Sequence, residues 1–109
     1  MRFWTAGAVV LLSACGAAQD AADVVARDRA KLVVNSVVQD RFPGVDPAPV
    51  TDCIIDAASA GEILQIASAS VSGVTASTVE TVLEIGTRPE SVSCLSRNVP
   101  RILGPLLAV

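Results

Sequence analysis

The 109-residue chain contains no histidine and no tyrosine, and it has one lysine and three aromatic residues. Without histidine the usual general base and nucleophile activator is missing, so Ser-His-Asp and Cys-His arrangements are excluded. A serine–lysine pair would have to use Lys31, and no motif sets a serine beside it. Glycine-rich phosphate loops and C-x-x-C motifs are also missing, which removes P-loop nucleotide binding and dithiol redox chemistry. Basic residues never cluster, and with a net charge of −3 this speaks against nucleic acid and against attraction to anionic head groups. The same scarcity shapes the core. Hydrophobic residues make up 51% of the chain and aromatics 3%, so packing falls to Ala, Val, Leu and Ile. Phe3 and Trp4 stand at the extreme N-terminus, leaving Phe42 as the only aromatic residue of the body.

What is present begins with an export signal. Arg2 and the free amine form a positive start, and Thr5 to Ala14 form an apolar segment too short to span a bilayer. The segment ends in Leu12-Ser13-Ala14-Cys15, which resembles the bacterial lipobox: an aliphatic residue, two small residues, and a cysteine whose thiolate takes the lipid. The expectation is a signal peptide over 1–14, a lipidated Cys15, a tether over 15–22 and one helical domain over 23–109. The alternative is a signal peptide cut after Ala18, since Gly16-Ala17-Ala18 also offers small residues at the cut, and a soluble periplasmic product. Gly16 after the cysteine resembles the pattern that sorts such proteins to the outer membrane.

Cysteine arithmetic favours lipidation. Three cysteines in an exported chain leave one odd thiol, and assigning Cys15 to lipid leaves Cys53 and Cys94 to pair in an oxidising compartment. That loop of about 40 residues is worth ~4 kcal/mol on the chain-entropy model, a large share of the stability of so small a domain.

Along the mature chain, Ala22, Ala26, Ala30, Val33, Val34, Val37 and Val38 recur at helical spacing, with Asp20 placed to cap. A helix is predicted to Phe42, although the paired valines of "KLVVNSVV" equally suit a strand. "RFPGVDPAPV" reads as an extended, Pro-rich loop, with Gly44 permitting a turn. Capping signatures follow at Ser59/Glu62, Ser77/Glu80 and Thr87/Glu90, with Thr51 as a further cap. They predict helices over about 52–58, 60–70, 78–86 and 89–97. The expected inward faces are Ile63, Ile66 and Ala67, then Val79, Val82 and Leu83, then Val92 and Leu95. "ASAGEILQIAS" and "ASTVETVLEIGT" look alike and suggest two similar helical corners. "VPRILGPLLAV" is an apolar arm expected to pack on the bundle. The fold class is therefore all-α, a compact bundle of about five short helices stapled by Cys53 and Cys94.

Few residues of the body invite a chemical role. Asp46, Asp52 and Asp56 could offer oxygens to calcium, but solvated surface carboxylates are the expectation, and no metal or cofactor is expected. Arg41 and Phe42 form the most distinctive pair: an exposed Phe beside an Arg is an interface anchor, whereas the only large ring of the body would plug the core beneath a loop. The plug is the expectation.

The stretches "VVNSVVQDRFPG" and "VTDCIIDAASAGEILQIAS", with the later cysteine of "SVSCLS", resemble a group of small exported bacterial proteins of no established activity, some of which carry the name succinate dehydrogenase. The residues do not support that name, because succinate oxidation requires flavin and iron–sulfur subunits and the anchor commonly uses His for haem. The expectation is a non-enzymatic envelope lipoprotein, in contact with the membrane through its lipid and with an envelope protein through its surface; the alternative is an enzyme or enzyme accessory such as the dehydrogenase of that name.

Overall fold

The computed structural model describes residues 23–107. The expected leader, Cys15, Ala18 and the tether with Asp20 lie outside the described residues. The described residues form six α-helices and no strand: α1 over 23–41, α2 Pro47–Ala57, α3 Ala60–Ser72, α4 Ala76–Gly86, α5 Pro89–Arg97 and α6 Val99–Leu107. The bundle is all-α, as expected, with one helix more than the expected five.

Helix α1 continues through both valine pairs. Ala26, Ala30, Val33, Val34, Val37 and Val38 are all buried, and a strand would have sent half of each pair to the opposite face. Arg27 faces Asp56 at 4.0 Å and Lys31 faces Asp52 at 3.9 Å, so α2 runs antiparallel to α1. Between them Gly44 adopts φ +90°, the left-handed region that glycine enters without penalty.

Helix α2 starts five residues earlier than expected. Asp46 is its N-cap, accepting from the Ala48 amide at 3.2 Å, and Pro47 opens the helix, where its missing N–H costs nothing. Thr51 is therefore not a cap. It lies in the fifth position of α2, buried, and its hydroxyl donates to the side-chain oxygen of Asn35 on α1.

Ser59 and Glu62 form the expected capping box of α3: the Glu62 amide donates to Ser59 Oγ at 3.2 Å and the Ser59 amide to Glu62 Oε1 at 2.8 Å. The other two predicted boxes are corrected. Helix α4 is capped by Thr75, which sits in the extended region after Gly73 and exchanges hydrogen bonds with Thr78, while Ser77 is already inside the helix. Thr87 adopts φ −89°, ψ −5°, still helical, so it closes α4 by donating to the Glu84 carbonyl at 2.7 Å. An N-cap must be extended, and that position falls to Arg88, whose side chain makes no capping bond.

Ile54 and Ile55 of α2, Ile63, Ile66 and Ala69 of α3, and Val82 and Ile85 of α4 complete a single core with the α1 stripe. Val79 and Ala67 are only partly buried against it, and Leu83 is 38% exposed, so two inward faces are rotated by about one residue from expectation. Helices α2, α4 and α5 touch one another, and α6 rests on α2. Cys53 and Cys94 are bonded, with their Cα atoms 5.6 Å apart, tying α5 to α2. The C-terminal arm is helix α6 rather than irregular chain. It docks on the α1–α2 turn, where the Asp46 amide donates to the Ile102 carbonyl at 3.0 Å.

Candidate functional site

The prediction for α5 fails in an informative way. Ser91 is its only buried residue, donating from Oγ to the Ile85 carbonyl at 2.7 Å, and Val92 is 50% exposed. The disulfide decides this. It turns the Ser91–Cys94–Asn98 face towards the core, the Asn98 amide nitrogen donating to the Cys94 carbonyl at 2.8 Å, and so rolls Val92 and Leu95 outward.

The outward stripe becomes one wall of an apolar groove. Val92, Leu95 and Ser96 of α5 continue into Val99, Ile102 and Leu103 of α6. Val38 and Phe42 at the end of α1, Val45 in the turn and Val50 of α2 stand opposite. The space between the walls is about 380 Å³, and Ser96 is the one polar side chain on them. A second hollow of about 230 Å³ shares Val38, Phe42, Val50 and Leu95 and extends the trough towards Leu83, Gly86 and Thr87. Phe42 stands between the two at 51% exposure. It is not a core plug. The core beneath is already filled by branched aliphatic side chains, and the turn at Gly44 holds the ring at the mouth of the groove.

Arg41, next to Phe42 in sequence, is exposed and lines a separate hollow with Val37, Val74 and Val79, and Arg97 and Arg101 are exposed on helix faces turned away from the groove. None of the three has a carboxylate partner among the described residues, unlike Arg27, Lys31 and Arg88. Arg97 donates to Ser93 Oγ at 3.2 Å and Arg101 to the Asn98 side-chain oxygen at 3.3 Å, neutral partners that leave both charges uncompensated.

The strongest electrostatic feature lies elsewhere and is structural. The Arg88 guanidinium grips both oxygens of Glu62 at 2.8 and 2.6 Å, Glu84 at 2.9 Å and the Ala57 carbonyl at 3.1 Å. One side chain thereby closes the end of α2, the start of α3 and the end of α4. Hydrogen bonds from Arg88, then from the Ser59 amide, hold the Glu62 carboxyl at about 2. The Glu62 and Glu84 bonds push Arg88 further above its ordinary value. Every oxygen and nitrogen of this clasp is satisfied by its neighbours, so it offers a ligand nothing.

The remaining candidates separate. Asp46 caps α2, Asp52 pairs with Lys31 and Asp56 with Arg27, so the three carboxylates do not converge. No group of three His, Cys, Asp or Glu placed to hold a metal ion occurs among the described residues. No described helix is long and apolar enough to cross a membrane. Sequence reasoning missed Val99, Ile102 and Leu103 as a wall, although Val92, Leu95, Val99, Ile102 and Leu106 follow one another at spacings of three and four, the signature of a single face shared by two helices. Comparison of the chain with family models, curated proteins and solved structures returns no match.

Proposed function

We propose that the protein is a non-enzymatic binding module of the bacterial cell envelope, held at the membrane by a lipid on Cys15 and acting through the groove around Phe42. The observation that carries the reading is the groove itself: a trough with apolar walls and a half-exposed ring at its mouth, in a chain without histidine, tyrosine or a glycine-rich loop. Concave apolar surface of this kind is where small domains bind. The lipobox-like Leu12-Ser13-Ala14-Cys15 supports the anchor, because acyl chains at ~0.8 kcal/mol per buried methylene hold a protein at a membrane lastingly only when more than one is attached. The partner is an envelope protein that meets the Phe42 surface.

Two measurements test the reading. Cys15→Ala should abolish palmitate labelling and move the chain from the detergent to the aqueous phase, and an unlabelled wild type would overturn the anchor. Cross-linking in intact cells should give one discrete adduct that Phe42→Asp removes. Stoichiometric flavin, iron or haem on the purified protein would replace this reading with an enzymatic one.

A further inference from the structure

Resting on the reading of Cys15 as the lipid anchor, we infer that the α1–α3 face beside the tether lies on the bilayer, with Val25, Leu64 and Val71 among the acyl chains and Arg29 among the head groups. This face is separate from the groove around Phe42, and three observations bear on what covers it.

The first is where the apolar side chains stand. Val25 and Arg29 of α1 and Leu64, Ser68 and Val71 of α3 line an open trough of about 620 Å³. Leu64 is 59% exposed and Val71 90%, and Val25, Arg29 and Leu32 follow one another at spacings of four and three on one stripe of α1. A folded partner would need relief matching these separate side chains. Insertion into a bilayer interface scales with apolar area and asks for no such match.

The second is reach. Residues 15–22 separate the acyl chains on Cys15 from the start of α1, and at about 3.6 Å per residue they span roughly 29 Å at most. Val25 lies in the first turn of α1, so the trough is kept near the bilayer at an effective concentration on the order of millimolar, where a weak apolar contact is occupied most of the time. Phe42 follows the far end of α1, about 28 Å from its start at about 1.5 Å per residue, so contact here leaves the groove clear for a partner.

The third is charge. The chain carries 11 Asp and Glu, yet none of them lines the trough. Its single charged residue is Arg29, which has no carboxylate partner among the described residues. An arginine reaches past apolar neighbours to a phosphate, the group that every phospholipid presents whatever its net charge.

A benzophenone amino acid placed at Val25, Leu64, Val71 or Asp40 tests this on the full chain, purified from cells and reconstituted with dioleoylphosphatidylcholine vesicles, with adducts read by mass spectrometry. The first three positions should each give phospholipid adducts at about ten times the yield of Asp40, which is exposed at the far end of α1. Leu64→Gln/Val71→Gln should lower the yield at Val25 roughly tenfold without moving the melting temperature, because both side chains are exposed in the free chain. Equal yields at all four positions, chain-to-chain adducts in place of lipid adducts, or a yield at Val25 indifferent to the double variant would each overturn the inference. Palmitate uptake separates the two readings. Lipid adducts at Leu64 and Val71 of a chain that takes up no palmitate would sink the anchor and keep the face, whereas a palmitate-labelled chain without those adducts would sink the face and leave the anchor standing. A chain with neither would overturn both.

Discussion

Helices α1 to α4 and helices α5 and α6 are held in place by different means. The first four contribute all the buried core side chains of the cluster, from Ala26 to Ile85, at no more than 8% exposure. The last two bury Ser91 and nothing larger. They pack against α2 and are pinned by the Cys53–Cys94 bond, the Ser91–Ile85 hydrogen bond and the Asp46–Ile102 bond at the turn. Burial of a core is spread over many side chains, whereas a single covalent bond and single hydrogen bonds fail one at a time. The second region can therefore leave its apolar side chains facing a groove instead of a core, and the groove exists because its walls belong to the two different regions.

The largest expected effect tests the attachment. Cys94→Ala should cost ~4 kcal/mol, lowering the melting temperature by roughly 15 to 30 °C at about 4 to 8 °C per kcal/mol for a domain of this size. Hydrogen exchange should show the loss concentrated in α5 and α6, with α1 to α4 keeping most of their protection. Equal loss everywhere would mean that the two regions form one cooperative unit.

A core deletion should behave in the opposite manner. Ile55→Ala removes a side chain with no exposure at the centre of the first region, at a cost of about 3 kcal/mol, and should reduce protection in all six helices together. Survival of α1 to α4 with only α5 and α6 lost would contradict the division.

Smaller effects sharpen the boundary. Gly44→Ala forces a side chain into the left-handed region and places its Cβ 2.7 Å from Leu106 Cδ2, costing roughly 1–2 kcal/mol. Its effect should appear in the docking of α6 and scarcely in α1 or α2. Amide protection of α6 is the readout, and a global change would show that the turn belongs to the core.

The smallest effect concerns the Arg88 clasp, which is partly exposed and screened. Glu62 titrates at about 2 in the folded chain against an ordinary value of 4.5, so its contribution is fully present above about 4.5 and is lost as the pH falls towards 2. Glu62→Gln should flatten the stability profile across that interval and lower stability above it. An acid limb identical to that of the wild type would show that the clasp contributes nothing to folding.

Much of the first region was legible in the residues. The α1 stripe obeys the helical period over a long run, and Ser59 with Glu62 is a purely local device, so both follow from spacing alone. The start of α2 was legible too, since Asp46 followed by Pro47 is an N-cap ahead of a first-turn proline. The other prolines of that stretch, Pro43 and Pro49, suit an extended loop equally well and mask the signal. Thr75 and Ser77 are chemically equivalent caps, and only the turn at Gly73 made Thr75 the extended one. Of the candidate site, the prominence of Phe42 was legible and its exposure was not.

The helical class, the pairing of Cys53 with Cys94, the α3 cap and the aliphatic character of the core follow from the residues alone, because they depend on residue type, count and short-range period. Tertiary structure alone decided which face of α5 turns inward, that Thr51 answers Asn35 sixteen residues away, and that Phe42 stands at a groove and not in the core. Those outcomes depend on how the covalent bond and the turn orient one helix against another. Many residues share such orientation, and no short stretch encodes it.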